Sequence, residues 1–148
     1  MAELNEPGVV VRIVDWREAG AMLIALRAEV FVREQGVPAH LEQDGLDARC
    51  AHALALDAEG NAIGTGRLMP DGRIGRMAVR HSWRGRGVGG AILAALVGEA
   101  RRRGMSEVYL HAQCHARDFY ARQGFTDEGE PFDEAGIAHI GMRRKVAP

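Results

Sequence analysis

Apolar positions along the chain follow two periods, and each predicts a different element. Val9–Val14 is a short β-branched run and reads as a strand. Asp15-Trp16-Arg17-Glu18 has the spacing of a capping box, and behind it Met22, Ala25, Leu26 and Val30 recur at helical intervals. That helix should end around Phe31–Gln35, because Gly36 and Pro38 are stop signals. Pro38 to Cys50 is acidic and without clear period, which predicts a loop. His52–Asp57, Ala62–Met69 and Arg73–Val79 read as three strands of a meander, separated by the turn residues Glu59-Gly60-Asn61 and Pro70-Asp71-Gly72. Gly90–Arg102 is predicted helical, with Ile92, Leu93, Leu96, Val97 and Ala100 on one side. Arg101–Arg103 suit the negative end of its dipole, and Gly104 is the natural stop. Glu107–Ala112 reads as a strand, Ala116–Gln123 as a short helix closed by Gly124, and Ile137–Arg143 as a last strand. The order β-α-β-β-β-α-β-α-β, with no repeat or linker, predicts one α/β domain over residues 1–148.

Composition sharpens this picture at one point. Glycine contributes 19 of 148 residues, well above an ordinary level of about 7%. Eleven of these lie between Gly60 and Gly104, without the period of a fibre and interleaved with apolar residues. A backbone that something approaches closely accounts for such clustering. A net charge of −1 argues against a dedicated nucleic-acid binder, and no apolar run is long enough for a membrane helix. The N-terminal Met-Ala-Glu-Leu-Asn-Glu-Pro-Gly lacks the basic and apolar regions of a signal peptide, so the cytoplasm is expected. Cys50 and Cys114 suggest neither a disulfide framework nor a metal site, and the six histidines have no ligand spacing.

Local charge is more informative than the net value. Between Gly72 and Gly98 stand Arg73, Arg76, Arg80, Arg84 and Arg86 and no carboxylate. Between Glu29 and Asp57 stand Glu29, Glu34, Glu42, Asp44, Asp47 and Asp57 against Arg33 and Arg49. The first segment could hold an anion and the second attract a cation, although solvated faces would explain both.

The sequence Arg84-Gly85-Arg86-Gly87-Val88-Gly89-Gly90 joins the strand ending at Val79 to a helix. Glycines there let backbone amides converge on one concavity, and the helix start adds about half a positive charge. A phosphate or diphosphate is the ligand this favours. A nucleoside-triphosphate loop requires Gly-Lys-Ser/Thr, and Val-Gly-Gly stands in its place. Gly85-x-Gly87-x-x-Gly90 satisfies the dinucleotide fingerprint, but residues intervene after the strand and the next strand runs into Leu110-His111 without the ribose-binding acid. On the third reading, Arg84-x-x-Gly87-x-Gly89 resembles the diphosphate-binding signature of acyl-coenzyme A transferases.

Arg73-x-x-x-Met77-Ala-Val79 followed by this glycine loop resembles the central motif of the GNAT superfamily of N-acetyltransferases. Ala116-x-x-Phe119-Tyr120-x-x-x-Gly124-Phe125 is similar to the superfamily's following motif. Val30-Phe-Val-x-Glu34-Gln35-x-Val37-Pro38 and Gly136-Ile137-x-His139-Ile140-Gly-Met142 resemble its ElaA-like subgroup. The resemblance covers nearly the whole chain. It implies an α+β fold with a mixed, mostly antiparallel sheet splayed at its centre between Arg73–Val79 and Glu107–Ala112, flanked by helices. It also implies a bound acetyl-coenzyme A. The diphosphate would lie on the backbone of Gly85, Arg86, Gly87, Val88, Gly89 and Gly90 beside Arg84, and the pantetheine arm along Met77, Ala78 and Val79. Where many relatives carry asparagine before the second helix, this chain has Gln113-Cys114-His115. Such relatives often form homodimers.

The implied reaction moves acetyl from acetyl-coenzyme A to a primary amine on a small molecule or lysine side chain, with no metal, nucleic acid or membrane involved. An alkyl amine with a pKa near 10.4 is neutral at pH 7 only on the order of one part in a thousand, so protons must be managed. The family match makes Tyr120 the candidate acid toward the departing thiolate; packing with Phe119 and Phe125 is its structural alternative. Glu34 is the candidate base, while His111 and His139, in strands among apolar neighbours, read as structural histidines. Cys114 beside His115 raises a covalent route. The acids at Glu42, Asp44 and Asp47 suggest a cationic acceptor. A coenzyme A-binding regulatory module without productive transfer is the non-enzymatic alternative.

Overall fold

The computed structural model describes residues 7–147; the segment before them, read above for a leader, lies outside. Strands β1 (Val10–Val14), β2 (Ala51–Leu56), β3 (Ala62–Leu68) and β4 (Ile74–Val79) pair antiparallel in that order. Strands β5 (Glu107–Gln113), β6 (Thr126–Glu134) and β7 (Ile137–Lys145) form a second antiparallel sheet in the order β5-β7-β6. The sheets meet at a parallel bridge between Arg73 and Tyr109, where the Tyr109 N–H donates to the Gly72 carbonyl at 3.1 Å. Beyond it β4 and β5 diverge, and among the described residues β4 keeps one edge unpaired. This is the mixed, mostly antiparallel arrangement, splayed at its centre, that the resemblance implies.

Strand β6 was not predicted. Its sequence, TDEGEPFDE, has no apolar alternation, and nearly all of it is exposed. Among the described residues it pairs only with β7, and its register shifts between Glu128 and Phe132, across Gly129 and Pro131. An edge position with an irregularity is where a strand tolerates proline, because no partner needs the missing N–H.

Helix α1 (Trp16–Arg27) starts where the capping residues place it, with Asp15 Oδ1 accepting from the Arg17 N–H at 3.2 Å. Leu26 and Val30 are buried as expected, but Leu23 and Arg27 take the places of Met22 and Ala25. Met22 is 44% exposed, while Leu23, Leu26, Arg27 and Val30 are buried. The stretch is apolar enough to permit either stripe, and the buried Arg27 fixes the choice. Arg27 bonds Glu42 through Nε and Asp47 through both terminal nitrogens at 2.8 and 3.1 Å. Arg67 on β3 reaches Asp47 at 3.1 Å and Asp44 at 3.0 and 2.9 Å. These bonds fold residues 38–50, predicted to be loop, into helix α2 (Ala39–Glu42) and a 3-10 turn at Asp47–Arg49. The acids taken as a cation attractor are therefore engaged by the protein's own arginines.

Helix α3 (Val88–Arg102) lies on the first sheet and buries Ile92, Leu93, Leu96, Val97 and Ala100 as predicted. Two strand glycines set its distance. A Cβ on Gly64 would stand 2.7 Å from Ile92 Cδ1, and one on Gly66 would stand 2.7 and 2.8 Å from Met77 and Leu96. Helix α4 (Arg117–Arg122) follows β5. Both α3 and α4 end in the same paired motif: Gly104 and Gly124 adopt φ of +78° and +90°, and the residue after each glycine donates back into the helix. No helix among the described residues is long and apolar enough to cross a membrane.

Candidate active site

The glycine loop is built in two steps. A 3-10 turn at His81–Trp83 closes through the Trp83 N–H to Arg80 carbonyl bond, 2.8 Å long, and turns the chain away from β4. Gly85 and Gly87 then take φ of +74° and +86°, left-handed values that cost a side-chain-bearing residue roughly 1–2 kcal/mol. Gly87 is the N-cap of α3, and the helical ladder begins with the Ala91 N–H donating to the Gly87 carbonyl. The amides of Val88, Gly89 and Gly90 precede that ladder. Without an acceptor among the described residues, they are bare donors at the positive end of a 15-residue helix. The helix thus starts two residues earlier than its sequence suggests.

The loop's arginines are held from the other side of the strand. After α1 the chain continues as a π-helical segment, Ala28–Glu34, which crosses near β4. Arg84 donates to the Val79 carbonyl at 3.0 Å and grips Glu34 with two bonds, 2.5 and 2.8 Å. Arg80 pairs with Glu29 at 3.2 Å, and the Arg86 guanidinium lies 4.0 Å from the centre of the Trp83 ring. Bonding to Arg84 holds the Glu34 carboxyl below its ordinary value, so Glu34 is a charged partner of low proton affinity.

Strand β4 carries a bulge on the way to this loop. Arg67 faces Gly75 and Thr65 faces Ala78, so two steps on β3 span three on β4. Arg76 sits there at φ +50°, and its side chain bonds the Glu42 carbonyl at 3.1 Å and Asp44 at 3.2 Å. Met77 and Ala78 follow directly beside the unpaired edge.

Between the diverging strands opens a cleft of about 250 Å³, lined by Arg73 to Met77 on one wall and Leu110, His111 and Gln113 on the other. Tyr120, Gln35, Glu134 and His139 complete its lining. The motif ending α4 places Tyr120: the Phe125 N–H returns to its carbonyl at 3.1 Å, and the Phe119 and Phe125 rings stand 5.0 and 6.1 Å from its own. Burial pushes the Tyr120 phenol up to about 12, so it remains a donor throughout the neutral range.

Register brings the remaining groups together. On β5, Val108, Leu110 and Ala112 are buried, and Leu110, His111 and Gln113 line the cleft. Gln113 lies opposite His139 on β7, and His139 lies opposite Phe132 on β6. His111 Nδ1 is 2.9 Å from Glu134 Oε1 and 3.1 Å from an Arg73 nitrogen. His111 and His139, read from the sequence as structural, both line the cleft, and Glu134 comes from the strand the sequence did not announce. His115 Nε2 bonds Gln113 Oε1 at 2.6 Å, and Cys114 packs against the core. Among the described residues no group of three or more His, Cys, Asp or Glu side chains is placed to hold a metal ion.

Residues 14–146 match the family described as acetyltransferase (GNAT) domain. The chain is 41% identical over 123 residues to the uncharacterized N-acetyltransferase YjcF of Bacillus subtilis, covering 80% of this chain and 87% of that one. Among solved structures, an acyl-CoA N-acyltransferase from Pseudomonas aeruginosa superposes with a TM-score of 0.82 at 33% identity, covering 92% of this chain and 99% of that one. Escherichia coli ElaA superposes with a TM-score of 0.82 at 28% identity and the same coverage.

Proposed function

The chain belongs to the GNAT acetyltransferase family, and from that premise we propose that it transfers an acetyl group from acetyl-coenzyme A to a primary amine by direct attack. The observation that carries the reading is the left-handed Gly87 cap, which presents the amides of Val88, Gly89 and Gly90 beyond the end of an unpaired strand edge. Oxygen-rich diphosphate suits those donors, with Gly85 and Arg86 beside them and Arg84 at the mouth. The extended amide-bearing arm suits the open edge at Met77, Ala78 and Val79, which it would meet as an added strand. The donor set therefore fits coenzyme A, and relatives named for acyl-CoA and N-acetyl transfer support the choice.

Within this reading Tyr120 donates toward the leaving sulfur as the thioester breaks, since its phenol stays protonated at neutral pH. Glu34, the base candidate of the sequence, has its negative charge committed to Arg84. Its proposed part is to hold that arginine at the loop until a phosphate replaces the carboxylate. A small-molecule or lysine amine is the proposed acceptor, entering the cleft from the side of Gln35 and Glu134.

Calorimetric titration with acetyl-coenzyme A, followed by a thiol-release assay with spermidine, glucosamine and a lysine peptide, tests the proposal. Binding together with amine-dependent thiol release is expected. Binding with no transfer to any amine would leave a coenzyme A-binding regulatory module, and absence of binding would reject the reading altogether.

A further inference from the structure

The proposed reaction needs a proton acceptor for the incoming amine, and the cleft holds one that the sequence pattern marks as structural. We propose that His111 is the general base, oriented by Glu134, with its Nε2 directed to the acceptor amine; this rests on the transferase reading above.

The argument turns on which ring nitrogen is engaged. Two groups crowd His111 Nδ1: Glu134 Oε1 at 2.9 Å, which can only accept, and an Arg73 nitrogen at 3.1 Å, which can only donate. One atom cannot serve both at once. With the proton on Nδ1 the carboxylate bond forms, and Nε2 is left as a lone pair without a protein partner among the described residues. Arg73 then turns to the carboxylate, whose Oε1 is 3.8 Å away, and neutralises it.

His139 is the natural competitor, and burial sets it apart: its side chain is 8% exposed against 29% for His111. Its Nδ1 donates to the Ile137 carbonyl at 2.7 Å, and its Nε2 stands 3.6 Å from Glu134 Oε2. At 3.6 Å the second contact is not a hydrogen bond, so it is burial that sets His139 aside, with its ring stacked on Phe132. His111 meets Phe132 edge-on at 5.1 Å, so the same aromatic ring fixes its plane. The groups facing His111 are Arg73 and Arg76 from the β4 side, Tyr109 and Gln113 from β5, Tyr120 from α4, Glu134 from β6 and His139 from β7. Among them only Glu134 offers a negative charge to an imidazolium.

The step balances without another reagent. His111 Nε2 takes the proton that the alkyl ammonium must lose before its lone pair attacks the thioester carbon. The N–C bond forms and the C–S bond breaks. The second amine proton replaces the one Tyr120 gives to sulfur, and one proton per turnover leaves through His111 to solvent. Glu134 touches no reacting atom and is a positioning residue.

Two measurements test the assignment. Nitrogen-15 NMR of the histidine rings in the free protein should find the neutral His111 protonated at Nδ1 and bare at Nε2; a proton on Nε2 overturns the proposal. With the best amine of the panel, His111→Gln should lower kcat/KM about 100-fold or more and abolish the acid limb of its pH profile. Acetyl-coenzyme A affinity should be unchanged. Glu134→Gln should lower kcat rather than raise KM and move that limb to lower pH. Transfer that survives His111→Gln with an unchanged profile overturns the base alone. A wild-type protein that binds acetyl-coenzyme A yet acetylates no amine overturns the transferase reading and the base with it.

Discussion

Replacing Gly89 by alanine separates ligand binding from folding at the glycine loop. Gly89 is the second residue of α3 and is not among the glycines with positive φ. A Cβ there meets Phe119 Cζ at 3.6 Å and Val79 Cγ2 at 3.8 Å, which is ordinary contact. Alanine is favoured over glycine by up to about 1 kcal/mol inside a helix, and by less in a first turn. At about 2–4 °C per kcal/mol for a chain of this size, the melting temperature should stay level or rise by up to about 4 °C. The same methyl stands in the gap between the end of β4 and α4, on the helix turn that carries the bare amides. If it lifts a diphosphate off two charge-assisted hydrogen bonds of about 1.5 kcal/mol each, affinity falls by about 3 kcal/mol, or roughly 100-fold. Gly87→Ala is the control with the opposite signature. At φ +86° it should cost about 1–2 kcal/mol of folding and lower the melting temperature by about 2–8 °C. Thermal melts of the free proteins and calorimetric titration with acetyl-coenzyme A read both quantities. A Gly89→Ala protein with wild-type affinity would refute the binding geometry, and one as destabilised as Gly87→Ala would refute the packing argument.

Asp47→Ala leaves the buried Arg27 and Arg67 without their shared carboxylate and should cost about 3–5 kcal/mol, a melting loss of about 6–20 °C. Tyr120→Phe should lower kcat by about 100-fold while melting as the wild type does, and full turnover would remove Tyr120 from the reaction. Bonding to Arg67 holds the Asp44 carboxyl well below its usual value, and for Asp47 the bonds from Arg27 and Arg67 outweigh the upward pull of burial. A depressed carboxylate stabilises the fold above its unfolded value of 3.8 and loses that contribution as pH falls through the folded value. The melting gap between wild type and Asp44→Asn should therefore be widest above about pH 4 and close toward stronger acid; a gap independent of pH would refute the assignment.

What the sequence disclosed was whatever is decided within a few residues. Asp15, Gly104 and Gly124 cap their helices because capping is local chemistry, and the glycine loop declares its amides by the absence of side chains. What it concealed depends on distant partners. Glu34 looked like a free carboxylate because Arg84, 50 positions later, has no local signature. Glu42, Asp44 and Asp47 looked like an open acidic surface for the same reason. Met22 and Ala25 were misplaced on an apolar stretch whose orientation is decided by Arg27, a charged residue that pattern reading assigns to solvent. Strand β6 lacked an apolar face altogether, and without it neither Glu134 nor the register that unites it with His111 could be anticipated. Gly64 and Gly66 form a third population of glycines, chosen neither for turns nor for ligand but for the approach of α3.

The cations that hold this fold together are guanidinium groups: Arg27 and Arg67 in the interior, Arg76 at the bulge, Arg80 and Arg84 at the loop, Arg143 across the second sheet. Lysine occurs once in the sequence, at the exposed Lys145. An ammonium side chain is a nucleophile once it loses its proton and is the side chain that acetylation neutralises, whereas a guanidinium stays charged and resists acylation. A protein that keeps a reactive thioester in its own cleft would, with lysines in these places, erode its own ion pairs one acetylation at a time. Built from arginine, the framework is inert toward the reagent it is proposed to carry, and side-chain self-acetylation is confined to a single position near the end of β7.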